Sequence, residues 1–392
     1  MRIAVVHSYY SKRVPSGENI IVDLQVDALR RAGHDVRVVS RRQQDVENSK
    51  LYPVVTALGV AANRGPSPVV ELDEFDPDIV HVHNLFPNFG RRWAERYGSR
   101  LVTTIHNYRP LCAASTLLRE GRSCTLCPDQ HSVLPALKHR CFKDSVVATL
   151  PVAVGMKFEH DPLLAAAARI ITINDDMRSR YAAIGLPDHK LVTVPNFAPA
   201  APTMGTHSGD ERGPFWLFVG RITHEKGIVP LVRDWPDGPR LKVVGSGPLD
   251  EDLRRIAGRT VEILGQRSPS EVSALMAAAR GLLFPSIWPE GLPTVYLEAL
   301  ATGLPVIAGE RSIVGQLVER DGTGIVMSGS VAANIDRADR DFPGLTAHCR
   351  NVFQKYYTEA AWLGAMQDVY SDVLAMAGRS FQLKDRRSNT YG

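Results

Sequence analysis

Trp216-Leu217-Phe218-Val219-Gly220-Arg221-Ile222-Thr223-His224-Glu225-Lys226-Gly227 is the stretch on which the fold turns. Its apolar run reads as a strand buried on both faces. Gly220 ends the strand, and a polar loop carrying Arg221 and Lys226 opens a helix. Strand, loop and returning helix make the βα unit of a parallel sheet. The unit recurs in both directions. Downstream, residues 241–244, 261–264, 281–284 and 305–308 read as strands, most followed by a helical stretch. Upstream, residues 3–6, 36–39, 79–82, 101–105 and 170–173 do the same. Ile20, Ile21, Leu24, Ala28 and Leu29 recur at helical spacing, and Gly33 stops that helix.

The chain has 392 residues, which fits two domains of ordinary size. Residues 196–213, rich in Pro, Gly and small side chains, are the expected linker. The division predicted is 1–198, with a cysteine-containing insertion at about 110–145, then 199–355. A terminal segment, 356–392, is expected to pack back on the first domain through Trp362, Met366, Val369 and Val373 and to fray after Gly378. Ligands of doubly wound sheets bind at the carboxyl ends of strands, so two such domains face to face predict a site in the cleft between them.

With 44% apolar and 22% charged residues, composition is that of a globular protein. A net charge of +4, with no long Lys/Arg run, argues against nucleic acid as a partner. Lys138, His139, Arg140 and Lys143 form a small basic cluster, read either as a solvated face or as contact with an anionic acceptor or membrane surface. The best apolar run, 146–156, is interrupted by Thr149, Pro151 and Gly155 and is too short to span a bilayer. The amino terminus reads at once as a strand and not as a signal region, so the cytosol is the expected compartment, with peripheral membrane contact admitted.

Pro289-Glu290-Gly291-Leu292-Pro293-Thr294-Val295-Tyr296-Leu297-Glu298 carries the chemistry of the second half. Two carboxylates stand eight positions apart, separated by a Gly/Pro loop and a helix start that Thr294 is placed to cap. Free amides at that start, with the helix dipole, suit a diphosphate. Gly291 lets backbone approach a ligand. Glu298 can accept both hydroxyls of a ribose, and Glu290 the hydroxyls of a sugar. Arg221 and Lys226 suit a leaving diphosphate that gains charge. With the flanking Phe284-Pro285-Ser286 and Ala299-Leu300-Ala301-Thr302-Gly303, this stretch resembles the Glu-x7-Glu motif of GT-B glycosyltransferases, specifically glycosyltransferase family 4. Gly220-Arg221 followed by Lys226-Gly227 looks like the same family's Gly-Arg-x4-Lys-Gly signature.

The resemblance implies a GT-B fold and metal-independent, retaining transfer of a hexosyl unit from a nucleotide-diphosphate sugar. UDP-sugars are the expected donors, with GDP-sugars open. Donor contacts carried over are Gly17, Gly220, Arg221, Lys226, Gly247, Glu290, Gly291, Leu292, Pro293, Thr294 and Glu298. Arg267 either stacks on the base or is merely exposed. Where the family has two adjacent glycines, this chain has Gly17-Glu18, so only Gly17 is carried over. His106, ending a predicted strand, is assigned to the donor sugar and reaction centre. His81, His83, Asn84 and Asn107 lie at strand ends and either line the acceptor pocket or pack structurally. The acceptor is a glycan, a lipid-linked sugar or a natural product. Arg221, Lys226, Glu290 and His106 form the expected catalytic set. No carboxylate pair is arranged as in a glycosidase, so the expected chemistry is front-face displacement. A nucleotide-sugar 2-epimerase and a non-catalytic sugar-nucleotide or zinc scaffold are the rivals.

Asp76-Pro77-Asp78 matches the spacing of metal-dependent transferases but reads as a turn before a strand. Cys112, Cys124, Cys127 and Cys141 share the insertion after His106. The Cys124-x2-Cys127 spacing and four thiols in a reducing compartment suit structural zinc, with disulfides or loose thiols as alternatives.

Overall fold

The computed structural model describes residues 1–10, 17–43, 51–200 and 213–388. They form two compact units. The first comprises Met1–Leu117, Cys124–Pro195 and the chain from Trp362, and the second comprises Leu118–Ser123 and Asn196–Ala361. The division thus falls at Pro195, before the expected 198. Phe197 and Ala198 are buried, and Ala198 N–H donates to Tyr357 O, which ties this segment to the second unit. Of the expected linker, residues 201–212 lie outside the described residues, as do Pro15 and Ser16.

The first unit contains β1 (Arg2–Tyr9), β2 (Asp35–Arg42), β3 (Ile79–Val82), β4 (Leu101–Ile105), β7 (Arg169–Thr172) and β8 (Leu191–Thr193). A two-stranded hairpin of β5 (Leu118–Arg119) and β6 (Arg122–Ser123) interrupts the run. The six strands are parallel in the order β2-β1-β3-β4-β7-β8. β3 and β4 are buried at every position, as strands covered on both faces must be. Helix α1 (Gly17–Arg31) turns Ile21, Val22, Gln25, Val26, Ala28 and Leu29 inward, one stripe of a helical wheel. The strand order reverses between β1 and β3, which opens a crevice at their carboxyl ends. Two further helices, α2 (Tyr52–Ala62) and α3 (Val146–Gly155), pack on each other in this unit.

The second unit repeats the architecture with β9 (Phe215–Val219), β10 (Arg240–Val244), β11 (Val261–Gly265), β12 (Leu282–Phe284), β13 (Val306–Ala308) and β14 (Gly324–Val326). All are parallel, in the order β11-β10-β9-β12-β13-β14. Trp216, Phe218, Leu241, Val243, Leu283 and Ile307 fill its core. Here the reversal lies between β9 and β12. Helix α4 (Thr294–Thr302) belongs to this unit.

Every strand read from the sequence is present, within a few residues. β8 and β14 go beyond that reading. Each has only three residues and closes a sheet edge, too short to declare a period. The last helix, α5 (Glu359–Ser388), buries Trp362, Met366, Val369, Tyr370 and Val373 and continues past Gly378, where the sequence predicts fraying.

Candidate active site

At the switch point of the second unit, two loops bring Lys226 and Glu290 together. β9 runs into the 220–227 loop and β12 into the 285–293 loop. Glycines let these loops touch. At Gly227 (φ 68°) a Cβ would stand 2.1 Å from Pro285 O, and at Gly245 (φ 134°) one would stand 1.9 Å from Gly220 O. Ile287 N–H donates to Glu225 O at 3.0 Å and Ile222 N–H to Ser246 O at 3.1 Å. This packing delivers Lys226 Nζ to both oxygens of Glu290, at 2.8 and 2.7 Å. Ser286 Oγ donates to Glu290 Oε1 at 2.6 Å and holds the carboxylate from the other side. The pair is largely withdrawn from water, with side chains 15% and 8% exposed. Arg221 is half exposed and reaches Glu225 Oε1 at 3.5 Å.

Two polar atoms beside this pair, Thr223 Oγ1 and Trp288 Nε1, are buried and have no hydrogen-bond partner among the described residues. The Trp288 ring lies 6.0 Å from Lys226 Nζ. An unsatisfied buried polar group costs about 1–3 kcal/mol, and a ligand accepting from both atoms would recover it. Neither residue was singled out by the sequence, because Thr223 is one of the unspecified positions of the Gly-Arg-x4-Lys-Gly signature and Trp288 precedes the Glu-x7-Glu stretch.

α4 begins at Thr294, and its N-cap is Pro293, so Thr294 is not the cap. No side chain caps this helix. Pro cannot reach back to the amides, so the helix start stays available to an anion. The Thr294 hydroxyl instead bonds Glu298, one turn on, whose pKa burial raises. Leu292 is buried and Gly291 partly so. At Gly247 a Cβ would stand 2.3 Å from Ile222 O, so that turn too depends on glycine. Arg267 sits exposed after β11, 3.8 Å from Glu271.

In the first unit, the switch point is lined by histidines. His83 Nδ1 and His106 Nε2 are 2.9 Å apart, one ring donating to the other. His81 is bonded on both nitrogens, to Tyr370 OH at 2.8 Å and Thr104 Oγ1 at 2.7 Å. Burial lowers the pKa of His81 and His106 to about 3 and that of His7 to about 4, and holds His83 well below its ordinary value. All four rings are neutral at physiological pH. Asn107 Nδ2 donates to Glu18 Oε2 at 3.1 Å. Loss of water around the Glu18 carboxyl pushes its pKa up to about 7, against the bond from Asn107 and the nearby Arg109. Glu18 stands where the family pattern has glycine, and the sequence reading passed it over for that reason. Asn84 Nδ2 donates to Ser8 O at 3.4 Å. A cavity of about 90 Å³ lies here, lined by His83, Asn84, His106, Asn107 and Arg109 together with residues of α2 and α3. Gly17 is the exposed first residue of α1.

Asp76 and Asp78 flank the turn that leads into β3. Asp78 Oδ2 accepts Arg2 N–H at 2.7 Å, and Asp76, at φ 45°, ends a helix 3.4 Å from Arg100. The five cysteines are thiols without disulfides. Cys112, Cys124 and Cys141 lie close enough to Cys127 to act on its charge and, with burial as the main cause, push its pKa up to about 11. Among the described residues no group of three or more His, Cys, Asp or Glu side chains stands in metal-ligand geometry.

Comparison with known proteins gives the family and the fold. Residues 16–200 match the profile described as Glycosyltransferase Family 4, and residues 213–340 the one described as Glycosyl transferases group 1. The chain is 36% identical over 364 residues to TuaC of Bacillus subtilis (strain 168), provisionally named a teichuronic acid biosynthesis glycosyltransferase, covering 81% of this chain and 83% of TuaC. The chain belongs to glycosyltransferase family 4. A GDP-mannose-dependent α-(1-6)-phosphatidylinositol monomannoside mannosyltransferase of Mycobacterium tuberculosis is 33% identical over 136 residues, 30% of this chain, and the match spans 34% of that enzyme's own length. A match to a glycosyltransferase of Methanocaldococcus jannaschii likewise spans 46% of that protein. The crystal structure of Anabaena Alr3699/HepE with UDP and glucose superposes with a TM-score of 0.60 at 14% identity, over 95% of this chain and 100% of that one. The fold of this family 4 glycosyltransferase is GT-B, two parallel α/β units of Rossmann type.

Proposed function

We propose that this glycosyltransferase moves a hexosyl unit, with retained configuration, from a nucleotide-diphosphate sugar to a hydroxyl acceptor. A UDP-sugar is the favoured donor. The observation that carries this reading is the Lys226–Glu290 pair, set beside the uncapped start of α4 and the unsatisfied Thr223 and Trp288 groups. The diphosphate would lie against Lys226, Arg221 and the α4 amides, Glu290 would read the sugar and Glu298 the ribose. As the bond from the sugar carbon to the phosphate oxygen breaks, the cations and amides take up the leaving charge. The acceptor oxygen bonds the sugar carbon on the same face, and its proton passes to the departing phosphate oxygen. The first unit's cavity takes the acceptor, and neutral His106, bonded to His83, serves its reacting end.

Melting-point shifts with UDP, GDP and their sugars test the donor assignment, since a ligand of the native state raises the melting point according to its affinity and concentration. Stabilisation by UDP and UDP-sugars above the guanine series is the expected result. A larger shift with GDP would move the assignment to GDP-sugars, and no shift with either would remove it. Proton NMR of the product should show the donor's anomeric configuration; inversion would exclude the front-face mechanism. Sugar conversion without acceptor would favour the epimerase.

Cys112, Cys124, Cys127 and Cys141 are proposed to hold a structural zinc ion. The support is chemical: three thiols around that of Cys127 in one insertion whose helices are four and five residues long. Metal analysis of protein prepared without chelator should give about one zinc per chain, and its absence would end the proposal.

A further inference from the structure

α2 breaks the rule that a helix without charges is buried. Its sequence, YPVVTALGVAA, has no charged residue, yet none of its residues is buried. Leu51, Val54, Val55 and Leu58 are 59–68% exposed. α3 is equally uncharged, and Val146, Val147, Leu150 and Val154 are exposed on it, Val147 to 83%. The helices touch closely. A Cβ on Gly155 would stand 2.3 Å from Val60 O, and Asn63 Nδ2 donates to Gly155 O at 3.2 Å. With Leu134, 69% exposed just upstream, this region holds nine of the twelve exposed large apolar side chains found among the described residues. Scattered exposed apolar residues are ordinary, but a contiguous concentration marks a docking surface.

The charges around α3 identify the occupant. Between residues 138 and 157 the exposed charged side chains are Lys138, Arg140, Lys143 and Lys157, against Asp144 alone. An aliphatic face edged by cations complements a lipid bilayer with anionic headgroups, where acyl chains meet the apolar side chains and phosphates meet the rim. No helix among the described residues is long and apolar enough to cross a membrane, so the contact would be interfacial.

We propose that α2 and α3 dock this protein on an anionic membrane surface. The inner sides of the same helices, through Gly59, Val60, Val152 and Gly155, line the cavity that holds His83 and His106. A lipid-anchored acceptor held in that bilayer would enter there; this part rests on the acceptor reading above.

The test is co-sedimentation of the full-length chain with vesicles of phosphatidylcholine alone or with one-third phosphatidylglycerol. Binding should favour the phosphatidylglycerol vesicles at least about tenfold and weaken with salt. Val147→Glu with Val54→Glu should abolish it. Lys138→Glu with Arg140→Glu should reduce it by roughly tenfold or more. An unchanged far-UV circular dichroism spectrum and an unchanged melting point with UDP show that the variants are folded. Equal binding to both vesicle types, or to neither, would overturn the proposal. So would a dimer in solution that Val147→Glu dissociates, since a second copy would then cover the face. Vesicle binding without a nucleotide-sugar shift would leave the docking surface standing and remove the donor assignment.

Discussion

Lys226 is the residue whose loss touches both the chemistry and the fold. Its ammonium is bonded to both oxygens of Glu290, and both side chains are largely buried. Lys226→Ala should therefore do two things. It removes a cation from the leaving diphosphate, which lowers turnover by ~10² or more. It also leaves Glu290 buried with only Ser286 donating, a break that costs about 3–5 kcal/mol in buried pairs. Pairing Lys226→Met with Glu290→Gln removes both charges together. That double variant should recover most of the melting temperature lost by Lys226→Met alone and stay inactive. Recovered activity would show that Lys226 serves only to neutralise its neighbour.

At the scale of elements, the βα turns of the second unit are built by backbone contacts that only glycine permits. Gly245→Ala would set a methyl 1.9 Å from Gly220 O at a φ of 134°, so the strand ends of β9 and β10 must part. Gly238 also has a positive φ, 109°, but nothing stands within 4 Å of its missing Cβ. Urea denaturation should find Gly245→Ala destabilised by more than about 2 kcal/mol and Gly238→Ala by about 1 kcal/mol. Equal losses would mean that strain alone, and not the close approach, governs the turn. These turns also explain what was legible beforehand. Residues 216–227 and 289–298 could be read because each is contiguous: strand, loop and helix start follow one another in the chain. The Lys226–Glu290 bond joins residues 64 apart, and the His83–His106 bond joins residues 23 apart. Both depend on which strands lie side by side, which local patterning does not encode. α2 escaped notice for a related reason: with no polar face, its sequence has no period to read.

For the whole molecule, the two units differ in how acid should affect them. The first unit encloses His7, His81 and His83, with His106 beside them, all held neutral by burial. Once unfolded, each ring would bind a proton below its ordinary pKa of about 6.5. The unfolded chain then holds more protons than the folded one, so stability falls as pH drops from about 6.5 toward 4. Glu18 acts in the opposite direction. With its pKa raised to about 7, it binds a proton in the fold before the unfolded carboxyl does, and it offsets about one histidine between its ordinary pKa and 7. The balance is about two to three protons, each worth about 1.4 kcal/mol per pH unit. A loss of several kcal/mol between pH 7 and 5 is expected. The described residues of the second unit carry no comparable group of buried histidines. Calorimetry should accordingly resolve a transition that moves steeply downward in acid, ahead of a second one that moves little. His7→Asn or His81→Gln should flatten the pH slope of the first transition even where it lowers the melting point at neutral pH. A first transition that kept its position from pH 7.5 to 5 would mean that the histidines are protonated within the fold, and with them His106 could no longer be the neutral group on which its proposed role depends.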